Sequence, residues 1–167
     1  MPPPLRAAAR LGVSYRPSGD ADLPFLGLVY ASTRIEEVAQ TGWPVEMQHQ
    51  FLAHQADAQQ LHYRQHYPNA EWLVVERDGE AIGRLFIEEW AAEIRLIDIS
   101  LLPQGRGGGV GTAILADLQA MAAAAAKPLT IHVERNNPAM RLYLRLGFAK
   151  IGDHGIYDLM EWRPAQA

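Results

Sequence analysis

The sequence predicts an α/β protein in which helices and strands interleave around a mixed sheet. Three observations predict it. The apolar period switches between 3.6 and 2 along the chain, Asp78-Gly79 sits between two β-rich runs as a hairpin turn, and a helical stripe ending at Pro128 is followed at once by a strand pattern. The 167 residues carry 49% hydrophobic and 20% charged residues, with a net charge of -4. That is the make-up of one ordinary globular domain, taken as residues 1–167.

Residues 12–16 read as the first strand. Ser18 and Asp20 are cap candidates for a helix starting about Leu23, and Pro44 opens a longer helix running toward Tyr67. This second helix is glutamine-rich and only weakly amphipathic, with Met47, Phe51, Ala58 and Leu61 as its apolar positions, so much of it is expected to be exposed or to face a cleft. Residues 72–76 and 81–87 flank the Asp78-Gly79 turn as strands, and residues 94–102 form a third. Beyond a glycine-rich loop, Ile114, Leu118, Met121 and Ala125 fall on one face of a helix that Pro128 terminates. Leu129, Ile131 and Val133 then alternate with Thr130, His132 and Glu134 as a strand. Asn137-Pro138 offers an N-cap and first-turn proline for a helix ending at Gly147, and two strands, residues 148–151 and 156–162, close the chain.

Composition excludes several functions. Cysteine is absent, which removes disulfides, thiolate nucleophiles and cysteine-ligated zinc. The negative charge argues against nucleic acid as a partner. No segment offers the ~18 apolar residues of a membrane span or a secretory h-region, so the expectation is a cytoplasmic protein without membrane contact. Arg6, Arg10 and the early alanines would suit a transit peptide, but Pro2 to Pro4 work against the amphipathic helix it needs.

The loop PQGRGGGVGT, residues 103–112, is the strongest chemical signal. It has neither the Gly spacing of a dinucleotide fingerprint nor the lysine of a Walker A loop. What remains is a strand, a glycine turn and a helix start, whose unpaired amides and positive dipole end suit an anion without a side-chain cation. A plain tight turn is the competing reading.

The order Arg106-Gly107-Gly108-Gly109-Val110-Gly111 resembles the R/Q-x-x-G-x-G/A motif of the GNAT superfamily, the GCN5-related N-acetyltransferases. Downstream, NPAMRLYLRLGF at residues 137–148 is similar to the same family's Asn-Pro-Ala, Leu-Tyr and Leu-Gly-Phe block. The resemblance covers about residues 70–162, and the first ~65 residues fit loosely. It implies a three-layer α/β/α fold whose central mixed, mostly antiparallel sheet splays between two parallel strands, here residues 94–102 and 129–133. Acetyl-CoA would lie in that gap as cosubstrate, with no metal. Backbone groups of Ser100, Leu101 and Leu102 would pair with its pantetheine arm, and Arg106, Gly107, Gly108, Gly109, Val110, Gly111 and Thr112 would hold its pyrophosphate. Of the two asparagines before the block, Asn136 and Asn137, the register favours Asn137 as its cofactor contact.

The implied reaction is acetyl transfer to a primary amine, on a small molecule or a peptide, in a ternary complex. An amine of pKa ~10.4 is neutral in about one molecule in 2,500 at pH 7, a deficit of about 4.6 kcal/mol, so a proton acceptor is needed. Asp98 interrupts the apolar face of Ile94, Leu96 and Leu102 and stands where many family members carry an acidic residue, which makes it the candidate base. An ion pair with Arg84 or Arg95 is the competing explanation, and Glu93 is the second choice, whose face a bulge could exchange with that of Asp98. Tyr143 matches the family tyrosine that donates to the coenzyme sulfur, against a plain core role.

Weaker signals are His62 and His66, spaced for a metal but read as a solvated face; Glu88 and Glu89 near a turn; and Trp43, Tyr63 and Tyr67 as cleft or core aromatics. The competing class is a noncatalytic acyl-CoA-binding or sensor module, which needs the loop but not Asp98 or Tyr143. The acceptor's identity and a homodimeric assembly are left open.

Overall fold

The computed structural model describes residues 3–165; Pro2 of the early proline run falls outside them. The elements in chain order are β1 (Val13–Pro17), α1 (Leu23–Ala39), α2 (Val45–His66), β2 (Glu71–Arg77), β3 (Glu80–Glu89), β4 (Ile94–Leu101), α3 (Val110–Ala125), β5 (Leu129–Glu134), α4 (Met140–Arg145), β6 (Ala149–His154) and β7 (Tyr157–Trp162), with one short 3₁₀ turn before β1 and two between later elements. The strands form one seven-stranded sheet in the order β1-β2-β3-β4-β5-β7-β6. All neighbouring pairs are antiparallel except β4 with β5.

Two apolar layers hold the helices to this sheet. On one face, Leu73, Val75, Leu85, Ile87, Leu96 and Ile131 pack with Val110, Ile114, Leu118 of α3 and Tyr143 of α4. On the other, Phe86 and Ile97 pack with Leu26 of α1, Tyr63 of α2 and Trp72. The expected three layers are therefore present. Asp78 and Gly79 both take positive φ, 52° and 86°, which is the left-handed pair that a two-residue hairpin turn requires.

Three local expectations change. Neither Ser18 nor Asp20 caps α1: a 3₁₀ turn, Asp20–Asp22, precedes it, and the Asp22 carboxylate accepts from Gly19 N at 2.8 Å while pairing with Arg16. The α2 stripe is turned outward, with Met47, Phe51 and Leu61 exposed and Leu52 buried. Polar side chains of α2 face the sheet instead, because they meet polar partners there. The last helix starts at Met140 rather than Pro138, so its N-cap is Ala139 and not Asn137, whose Oδ1 instead accepts from Ala139 N at 2.8 Å in the turn before the helix.

Asp117 of α3 ties the chain's start to the core. It is 3% exposed and accepts the amides of Arg6, Ala7 and Ala8 at 3.2, 2.9 and 3.0 Å. Asp117→Ala is expected to lower the unfolding free energy by about 3 kcal/mol in urea titration, since it orphans these amides. An unchanged midpoint would show that this segment adds nothing to stability.

Candidate active site

The site begins where β4 and β5 stop pairing. They are joined in parallel only at Ile94↔Leu129 and Arg95↔Thr130, so beyond Arg95 one backbone edge of β4 has no strand partner. A bulge in β4 decides what occupies that edge. Phe86 faces Asp98 while the next residue, Ile87, faces Leu96, leaving Ile97 as the extra residue.

The bulge corrects the expected face of Asp98. Regular alternation would put it beside Ile94 and Leu96, on the α3 side. Instead Ile97 and Asp98 both turn to the α1/α2 side, where Ile97 packs on Phe86 and Asp98 meets Tyr63 of α2. It also fixes the free amides. Leu102 N donates to Ile82 O at 2.8 Å and Gly83 stands opposite Leu101, so Ser100 and Leu102 direct their backbone groups toward β3. Leu102 O accepts in turn from Gly105 N. The groups facing the gap are those of Ile99 and Leu101, which moves the expected pantetheine-pairing edge off Ser100 and Leu102. Gly83 allows this close pairing, since a side chain there would run into the Ser100 carbonyl oxygen.

The glycine loop follows directly. A 3₁₀ turn, Pro103–Gly105, leads into Arg106, and α3 begins at Val110. Gly109, the residue before the helix, has φ 79°, a conformation that side chains strain to adopt. The first backbone bond of α3 runs from Ala113 N to Gly109 O at 2.9 Å. Among the described residues, the six amides from Gly107 to Thr112 have no protein acceptor. They lie at the positive end of a 16-residue helix. The Arg106 side chain does not extend over them: its Nε donates to Leu101 O at 2.8 Å and tethers the loop to the end of β4.

Asp98 is held by three donors. Ser100 Oγ donates to Oδ1 at 2.6 Å, while Arg84 Nη2 and Tyr63 Oη donate to Oδ2 at 2.5 and 3.4 Å. The ion pair anticipated with Arg84 therefore exists, and that with Arg95 does not: Arg95 binds Thr130, His132 and Glu93 at the paired end of β4 and β5. Glu93 is also bonded there by the Thr130 hydroxyl, so it stands at the closed end of the gap. An ionised carboxylate has about four lone-pair positions, which leaves one on Oδ1 after these three bonds.

Tyr143 approaches from the other face. It is 4% exposed, packed edge-on against Phe148 at 5.5 Å between ring centres. Burial first, then the charge of Asp98, pushes its phenol above the ordinary tyrosine value. Its hydroxyl has no hydrogen-bond partner among the described residues. Across the gap, Arg34 of α1 makes a two-pronged ion pair with Glu134 of β5, a bridge that no sequence signal announces. Of the weaker candidates, Tyr67 stacks on Trp90, Trp43 packs edge-on against Phe51, Glu88 accepts from Trp90 Nε1, and Glu89 pairs with Lys127. The His62 and His66 rings lie 3.9 Å apart, and no cluster of three metal-ligating residues occurs among the described residues.

A family model places the chain in a class of acyl-group transferases. It belongs to the acetyltransferase (GNAT) family, whose model matches residues 33–148. A search of curated proteins finds no match to the sequence. Among solved structures it is similar to PaiA N-acetyltransferase from Thermoplasma acidophilum in complex with coenzyme A, at 17% identity over 90% of this chain and 98% of that one, with a TM-score of 0.67. It is also similar to an acetyltransferase from Thermus thermophilus, at 18% identity over 92% and 97%, TM-score 0.65. A third is the ribosomal-protein-S18-alanine N-acetyltransferase from Escherichia coli, at 16% identity over 93% and 96%, TM-score 0.60. At these identities the likeness is one of fold. Among the described residues no helix is long and apolar enough to cross a membrane.

Proposed function

We propose that this chain, acting as one domain, moves an acetyl group from acetyl-CoA to a primary amine by direct transfer. The observation that carries the reading is the run of six partnerless amides, Gly107 to Thr112, at the start of α3 beside the β4–β5 gap. Amides at a helix N-terminus suit a pyrophosphate. The coenzyme A in the Thermoplasma relative supports the same ligand. Arg106 serves by shaping the loop, the backbone of Ile99 and the amide of Leu101 offer an extended edge to the pantetheine arm, and Asn137 braces the turn before the helix that carries Tyr143. The thioester supplies an activated acetyl group.

The two faces divide the chemistry. Asp98 Oδ1 takes the proton that the amine loses as its nitrogen bonds the acetyl carbon. The Tyr143 hydroxyl donates a hydrogen bond to sulfur as the carbon–sulfur bond breaks, and the thiolate is then protonated at the expense of the proton that Asp98 releases, so both side chains end as they began. With no cysteine in the chain, no thioester on the protein is needed or available.

Two measurements test the reading. Acetyl-CoA at about 100 times its Kd should stabilise the chain by about 2.7 kcal/mol, seen as a rise in Tm, and Gly109→Glu should abolish that rise through bulk and charge while lowering the baseline by about 1–2 kcal/mol. A retained shift would remove the loop from the binding site. Thiol release from acetyl-CoA should then depend on an amine, tried as butylamine, a linear diamine, free lysine and a tripeptide with a free N-terminus. A Tm rise without thiol release from any of them would favour the noncatalytic module.

A further inference from the structure

We infer that Arg84 is a positioning residue for acetyl transfer, acting through Asp98 and not on either substrate. The inference rests on the reading of Asp98 as the base. Arg84 is 4% exposed in the middle of β3, and its Nη2 donates both to Asp98 Oδ2 at 2.5 Å and to Gln59 Oε1 of α2 at 2.7 Å. Its guanidinium carbon lies 5.1 Å from the Phe86 ring centre, so the neighbour two residues along the strand braces it. One cation thus joins α2, β3 and β4 at the carboxylate.

This arrangement makes the two oxygens of Asp98 unequal. Arg84 and Tyr63 occupy Oδ2, and Ser100 occupies one position on Oδ1. The remaining lone pair therefore belongs to Oδ1 and has a fixed direction. Without Arg84 only the Ser100 bond on Oδ1 and the longer Tyr63 bond on Oδ2 resist rotation of the carboxylate about its Cβ–Cγ bond. Stability alone does not account for the pair, because a buried ion pair is often matched by apolar residues of similar volume. A need for an oriented carboxylate does, since an arginine supplies both the counter-charge that makes its burial tolerable and a rigid donor.

The test is a double-mutant cycle with kcat and Tm as readouts, using whichever amine of the four above the parent turns over fastest. Arg84→Met should lower kcat per folded chain by about 10²-fold with the KM for acetyl-CoA within about threefold of the parent. Arg84→Lys should recover part of that loss, because it restores charge and donors without the planar fork. The double variant with Asp98→Asn should be no slower than Asp98→Asn alone, and its Tm should exceed that of Asp98→Asn, which leaves a buried guanidinium unpaired. A folded Arg84→Met with kcat within about twofold of the parent would overturn the inference, as would a double variant whose loss is the product of the two single losses. If Arg84→Met does not fold, Arg84→Lys is the test: a kcat reduced with unchanged acetyl-CoA KM supports positioning, and parental kcat overturns it. An active parent with fully active Asp98→Asn would remove the base and this inference together, while a parent that acetylates none of the four amines would remove the transfer reading beneath both.

Discussion

Asp98→Asn should lower kcat by about 10² to 10⁴ at neutral pH, the range spanned by positioned acid–base groups. The substitution keeps shape and removes the charge and the ability to take up a proton. Acetyl-CoA affinity should change little, because the amides of Gly107 to Thr112 hold no contact with this side chain. The rate should recover toward high pH, where more of the amine is already neutral. Stability should fall as well. Arg84 is buried against Asp98, and breaking such a pair by removing one partner costs about 3–5 kcal/mol. The kinetics therefore belong well below the variant's Tm. A variant that melts earlier yet turns over at the parental rate would make Asp98 a structural counter-ion and nothing more.

Tyr143→Phe should cost about 10² to 10³ in kcat, the usual loss when a donor to a developing anion is removed. Stability should barely move. The ring contact with Phe148 survives, and the hydroxyl has no partner in the chain to lose. The contrast with Asp98→Asn is informative: one variant combines slow turnover with early melting, and the other separates them. The raised phenol also fixes a sign. A group whose value is pushed up keeps its proton further into alkali, so Tyr143 should remain a donor where an ordinary tyrosine begins to ionise. A kcat within about twofold of the parent would show that Tyr143 is a core residue and not the acid.

Much of the scaffold was legible because single residues decided it locally. Asp78-Gly79 demands a hairpin, Pro128 ends α3, and Leu129, Ile131 and Val133 mark the buried face of β5, all of which the structure bears out. The two motifs were enough to name the family. A bulge in β4 was allowed for, but its position at Ile97 was not legible, for a physical reason. Ile94, Leu96, Ile97, Ile99 and Leu101 are all apolar, so the strand reads equally well in either phase, and only pairing with β3 selects one. The face of Asp98 and the identity of the gap-facing backbone groups both follow from that choice.

The exposure of much of α2 was legible, but the identity of its inner face was not, for a related reason. Apolar Met47, Phe51 and Leu61 look like the inward stripe, but the helix lies over a polar patch. Gln55 accepts from Tyr30 Oη at 3.1 Å, Gln59 from Arg84, and Tyr63 donates to Asp98. Periodicity reports apolar cores and is silent about polar ones. The Arg34–Glu134 bridge joins residues 100 apart in the chain, so no local pattern could show it.

Direct acetyl transfer to an amine is open to a single-turnover quench with isotopically labelled acetyl-CoA. Mass analysis of the amine, the coenzyme and the chain after each quench follows the label. Label should leave acetyl-CoA and enter the amine as an amide in step with thiol release, one for one, with none on the chain at any time. Label accumulating on the protein before the amine, or acetyl-CoA that binds and stays intact whichever amine is added, would contradict direct transfer.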